Sequence, residues 1–248
     1  MQRKVMNRIK KTRTTNPVLS ARVLYFTTMP RTIIYLFLLV GSMSGSACIQ
    51  NADPISQKKL FGYFKPVTAS DTLVFEVDLG DNVPTTSGDT IPNALFFSVL
   101  DSALLAEISH LADSASAVVL ARQRFPITDE VEACLVDIRQ SWFQHQSLLL
   151  YNHQQCKFTN RVTVAKFFGG DGGQMLTGSW LFDYDRDGHK DLVCRVIEHI
   201  LRPDDNGEAI DESFESAMLL AWRQDRFVEQ PLSDTMLVVK RYPIRSFW

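Results

Sequence analysis

The stretch Trp180-Leu181-Phe182-Asp183-Tyr184-Asp185-Arg186-Asp187-Gly188-His189-Lys190-Asp191-Leu192 reads as strand, acidic loop, strand. Its loop is D-x-D-x-D-G-x-x-D, over 183–191. Asp183, Asp185 and Asp187 alternate along a tight turn, Gly188 supplies a positive φ, and Asp191 closes the far side directly or through a water. Oxygen donors of this kind suit a hard cation such as Ca²⁺, and the main-chain carbonyl of His189 would add one more. Without an ion, four crowded carboxylates repel one another and raise each other's pKa. The alternative is a polar Asx-turn hairpin that needs no ion.

The flanks decide between helix and strand. An EF-hand carries Glu at the twelfth loop position and lies between helices; here that position is Cys194. Trp180 and Phe182 alternate with Ser179 and Leu181, and Leu192, Cys194 and Val196 alternate after the loop, so it joins two strands. In that form, with Phe168-Gly169-Gly170 upstream and Gly178 just before it, the segment Phe167 to Val196 resembles the calcium loop of the FG-GAP and VCBS repeat families. These occur in the β-propellers of integrin α-chains and in many bacterial surface proteins. The resemblance implies a β-hairpin that binds calcium through Asp183, Asp185, Asp187 and Asp191. One such loop is present, and Cys194-Arg195-Val196-Ile197 continues as strand where a GAP element would stand.

Met1 to Thr32 holds eight basic residues and no acid, and precedes the apolar run Ile33 to Val40 and the small residues Gly41 to Cys48. This is the pattern of an export signal over 1–47, most compact if read from Met29. Gly45-Ser46-Ala47-Cys48 resembles a bacterial lipobox, with Gly45 where Leu or Val is usual; lipidation would fall on Cys48. Cleavage after Ala47 and an uncleaved anchor are the other readings. Each places the chain outside the cytosol, with a lipid-anchored form expected in the cell envelope, in the outer membrane or periplasm. Beyond Cys48 there remain 18 basic residues against 28 acidic, about ten net negative charges, which disfavours nucleic acid as a partner.

Asn51 to Thr68 reads as a tether, making 48–68 a linker to a β-rich domain over 69–248. Leu73, Phe75, Val77 and Leu79 mark a half-buried strand, and Phe96, Leu100, Leu104, Ile108 and Leu111 recur at helical spacing over 94–112. From Ala117 the chain alternates short apolar runs with turns, ending in an expected strand over 236–242. The fold class is mainly β: an antiparallel meander, or sandwich or partial-propeller-like sheets, with one substantial helix.

Cys134 and Cys194 lie on apolar faces and read as buried thiols; whether Cys134, Cys156 or Cys194 pairs stays open. His145 and His153 read as surface or turn residues. The glycine-rich Phe168 to Gln174 lacks the Lys-Ser/Thr of a P-loop and is expected to approach the acidic loop. No metalloprotease, serine-hydrolase or catalytic-cysteine motif is present. The chain therefore reads as a calcium-stabilised envelope module that binds or scaffolds a protein or glycan, Tyr184 and Arg186 forming the outward rim. The alternative is a secreted hydrolase with an unidentified carboxylate pair.

Overall fold

Period-two alternation runs through most of the chain after Ala117, and each run becomes a long strand paired with the next. The structure is a computed structural model describing residues 53–68, 70–77, 88–170, 172–203 and 206–244. The leader, Cys48 and the start of the expected tether lie outside the described residues. Helix α1 (Pro54–Phe61) leads into β1 (Lys65–Pro66), β2 (Leu73–Phe75) and β3 (Asp89–Thr90), followed by α2 (Asn93–Val99) and α3 (Ser102–Leu111). A meander then runs through β4 (Val118–Pro126), β5 (Val131–Gln140), β6 (Phe143–Asn152), β7 (Lys157–Gly170), β8 (Gly173–Phe182), β9 (Asp191–Pro203), β10 (Ala209–Arg223) and β11 (Arg226–Gln230). Helix α4 (Thr235–Arg241) closes the described part. The protein is mainly β, as its alternation predicts, and its strands join in one 11-stranded sheet.

The meander is antiparallel throughout. One break matters. β7 pairs with β8 only from Lys166 to Gly170, and where it departs, β2 takes over the vacated edge: Leu73, Val74 and Phe75 face Leu181, Trp180 and Ser179. Gly178 marks the changeover, and a Cβ there would collide with Ile244 and approach the Phe75 carbonyl oxygen to 3.3 Å.

β5 shows how the sheet divides its apolar residues. Cys134, Val136 and Ile138 point to one side, against Leu60 of α1, Phe96 and Val99 of α2 and Leu104 and Ile108 of α3. Val131, Ala133 and Leu135 point to the other, with Leu148, Val164, Leu181 and Leu192. Among the described residues no helix contributes to this second cluster, yet those last four are fully buried, so the sheet curls and covers its own inner face. A small third cluster, Val193, Leu219 and Val238, seats α4 on β9 and β10.

Three segments differ from expectation. Residues 54–66, read as tether, are built into the domain: Asp53 caps α1 by accepting from the Ile55 N–H at 3.3 Å, Pro54 occupies its first turn, and Leu60 and Phe64 are buried. The helix expected over 94–112 is two helices, broken at Leu100. Asp101 takes an extended conformation, accepts from the Leu104 N–H at 2.8 Å and so starts α3, while the apolar stripe of Phe96, Leu100, Leu104 and Ile108 is buried as its spacing predicts. The expected strand over 236–242 is α4. Asp234 caps it through the Leu237 N–H at 2.9 Å, and Lys240 and Arg241 lie in its last turn, where cations favour the helix dipole. No described helix is long and apolar enough to cross a membrane.

Candidate metal centre

The acidic loop joins β8 to β9 at the end where Phe182 faces Asp191. Its main chain is wound around its first carboxylate. The Asp187 N–H donates to Asp183 Oδ1 at 3.1 Å and to Asp185 Oδ1 at 3.2 Å; the Gly188 N–H donates to Asp183 Oδ2 at 3.0 Å. The His189 N–H donates to Asp187 Oδ1 at 2.9 Å, the main reason that the Asp187 carboxyl titrates below its ordinary range. Gly188 has φ +87° and Arg186 +66°, the left-handed turns this winding requires.

As a result, one carboxylate oxygen from each of Asp183, Asp185 and Asp187 lies within 4.8 Å of the others. Oxygens bound to one Ca²⁺ sit about 2.3–2.6 Å from it, so oxygens on opposite sides are about 5 Å apart. The cluster therefore could hold a metal ion, and its donors are the hard oxygens such an ion takes.

Asp191 stands apart from the three. It is fully buried, accepting from the Trp222 N–H at 2.9 Å and the Tyr184 N–H at 3.3 Å. Burial raises its pKa, and the Trp222 bond works against that rise. Asp191 ties the start and end of the loop to β10. His189 is exposed beside the cluster. Of the expected rim, Arg186 is exposed, while Tyr184 packs on Phe182 in the cluster under α4.

Sequence reading missed Arg223. It donates to Asp185 Oδ2 and Asp187 Oδ2, each at 2.8 Å, so its guanidinium is the counter-charge of the loop, and these bonds raise its pKa, Asp185 first. A groove of about 400 Å³ beside it is bordered by Asp187, His189, Arg223 and Gln224. Arg223 sits in the short Trp222-Arg223-Gln224-Asp225 turn, whose Gln224 and Asp225 both have positive φ, and nothing in the sequence places that turn opposite the acidic loop. The glycine-rich turn, expected near this loop, is at the opposite end of β8, roughly 30 Å away along a ten-residue strand.

A second polar cluster lies between α3 and the sheet. Glu107 accepts from the Thr163 hydroxyl at 2.6 Å, from Lys166 at 2.9 Å and from Arg161 at 3.3 Å. His145, read as a surface residue, is fully buried, because β6 begins at Phe143 and carries it beneath α3. Its Nε2 lies 2.6 Å from the Ser147 hydroxyl, and its Nδ1 is buried without a partner. Burial holds its pKa down to about 4. Burial pushes Glu107 up, but the Thr163 hydroxyl and the Lys166 ammonium outweigh it and bring the carboxyl to about 2. Ser147 and His145 are both shut from solvent, and Glu107 does not orient His145, so this is a packing network rather than an activated nucleophile. Cys134 and Cys194 are buried free thiols; Cys156 is free and exposed.

Searches against protein-family models, characterised proteins and solved structures return no match to this chain.

Proposed function

We propose that the protein is a calcium-stabilised β-domain, held in the cell envelope through lipid on Cys48, that binds or scaffolds a protein or glycan partner. The observation that carries the reading is the winding of the Asp187 and Gly188 N–H groups onto Asp183, which leaves three carboxylates converging on one point. Calcium accepts six to eight oxygens in flexible geometry, which suits an exposed loop better than the strict octahedron of Mg²⁺. The leader supports export into a compartment where a weak calcium site would be filled.

Calorimetric titration with calcium, magnesium as control, tests the site. The domain should bind calcium and gain about 2.7 kcal/mol of stability at a 100-fold excess over Kd. Asp185→Ala should cancel the gain, whereas Asp129→Ala, in the exposed β4–β5 turn, should keep it. Neither heat nor thermal shift at millimolar calcium would mean that the loop is only a turn. The anchor is tested separately: Cys48→Ala should abolish lipid labelling and release the chain from the membrane fraction. Absence of lipid label on the unaltered protein would sink that half of the proposal.

A further inference from the structure

The polar cluster under α3 carries more positive charge than negative. Arg161 and Lys166, with side chains 11 % and 17 % exposed, bring two positive charges, and both pair with one carboxylate, Glu107. His145 beside them is neutral, because burial disfavours its charged form. Asp137 is the other acid whose charge reaches His145, but two arginines of its own already hold it, Arg122 at 2.7 Å and Arg139 at 2.9 Å. Among the described residues one positive charge is therefore left without a counter-charge, in a place largely shut from water, where an unbalanced charge is costly.

The hydrogen bonds identify the missing partner. Arg161 Nη1 donates to the Ser147 hydroxyl oxygen at 3.1 Å and to the Thr163 hydroxyl oxygen at 2.9 Å, and the Thr163 proton goes to Glu107. The Ser147 proton is then directed at His145 Nε2, 2.6 Å away. The Arg161 guanidinium, 3.4 Å from the same nitrogen, can only donate and so also favours a lone pair there. With Nε2 accepting, the proton of the neutral ring sits on Nδ1. That Nδ1–H is buried without an acceptor, and so is the Nε–H of Arg161. Two unused donors and one surplus positive charge in the same cluster call for an acceptor that is itself negative.

We propose that a small monovalent anion of the chloride class binds under α3, held by the Nδ1–H of His145 and the guanidinium of Arg161. His145 and Ser147 are fully buried and Arg161 nearly so, which suits a single-atom ion rather than a phosphate or a carboxylate ligand. The second charge of phosphate would also exceed the surplus. A water molecule would accept from the two donors but leave the charge unbalanced. The anion would join β6 to β7 beneath the helix, beside Glu107. The site shares no residue with the acidic loop and does not depend on calcium.

Thermal unfolding of the full chain in sodium chloride, against sodium gluconate at equal ionic strength, tests it, gluconate being too bulky for the site. A chelator keeps the acidic loop free of metal throughout. Chloride in tenfold excess over Kd should raise the melting temperature by about 3–6 °C relative to gluconate, and bromide should act in the same way. His145→Phe, which keeps a buried ring but has no Nδ1–H, should lose the difference between the salts. Crystals of the full chain grown in bromide should show an anomalous peak in contact with His145 Nδ1. Equal melting in chloride and gluconate, a difference that survives in His145→Phe, or a water without bromine signal at Nδ1 would each overturn the proposal. Should His145→Phe fail to fold, the bromide crystals of the unaltered chain decide.

Discussion

Asp185 and Asp191 belong to one acidic loop but serve different ends. Both oxygens of the buried Asp191 are spent on main-chain N–H groups, whereas Asp185 shares the guanidinium of Arg223 at the surface. The D-x-D-x-D-G spacing made the three converging carboxylates legible, since turn geometry is local. It could not separate Asp191 from them, because Trp222, which donates to it, is contributed by β10 through tertiary pairing. Arg223 was illegible for the same reason. Its place opposite the loop suggests competition: an incoming ion must displace the guanidinium from Asp185 and Asp187. Arg223→Ala should accordingly bind calcium several-fold more tightly in calorimetric titration, and equal or weaker binding would show that the guanidinium does not compete.

Helices were harder to read than strands. Phe96, Leu100, Leu104 and Ile108 gave the buried stripe correctly but concealed the break, because packing on one sheet face continues across it and only the Asp101 cap records it. Residues 236–242 read as a strand but form most of α4. What holds the helix is remote: Arg195 of β9, 1 % exposed, donates to the carbonyls of Val239 and, at 2.6 Å, Tyr242, and pairs with Glu215. It thereby supplies donors to a helix end that otherwise has orphan carbonyls. Arg195→Met should lose roughly 3 kcal/mol in urea denaturation, the cost of stripping a buried charged donor from its acceptors. Hydrogen exchange should accelerate first at Val238 and Tyr242. Unchanged exchange there would mean that α4 is held by its apolar contacts with Val193 and Leu219 alone.

At the scale of the whole molecule, the buried cluster under α3 contributes to the response to acid. His145 has its pKa lowered from 6.5 to about 4, so the unfolded chain binds its proton first and stability drains away as pH falls from 6.5 toward 4. Glu107 is lowered from 4.5 to about 2, and its contribution, whole above pH 4.5, drains away as pH falls through 2. The two act in sequence and with the same sign. The urea midpoint should therefore decline in two stages below pH 6.5, and His145→Leu should flatten the upper one; a level midpoint from pH 6.5 to 4 in the unaltered protein would contradict this. The meander itself was legible because each strand from β4 to β11 pairs with its neighbour in sequence, and local alternation with turns implies that order. The strand at Leu73 to Phe75 was legible from its alternation, but its partner was not, since nothing local says that it will fill the edge vacated by β7. That same pairing has a kinetic consequence. The hairpins close short loops, but Leu73 to Phe75 must find Ser179 to Leu181 across more than a hundred residues of chain. Such a contact costs far more loop-closure entropy than a hairpin and is expected to form after the hairpins have assembled a surface to receive it. By that argument this seam would be the last to knit during folding and an early one to open in the native state, and it borders the stretch where, among the described residues, β8 changes neighbours.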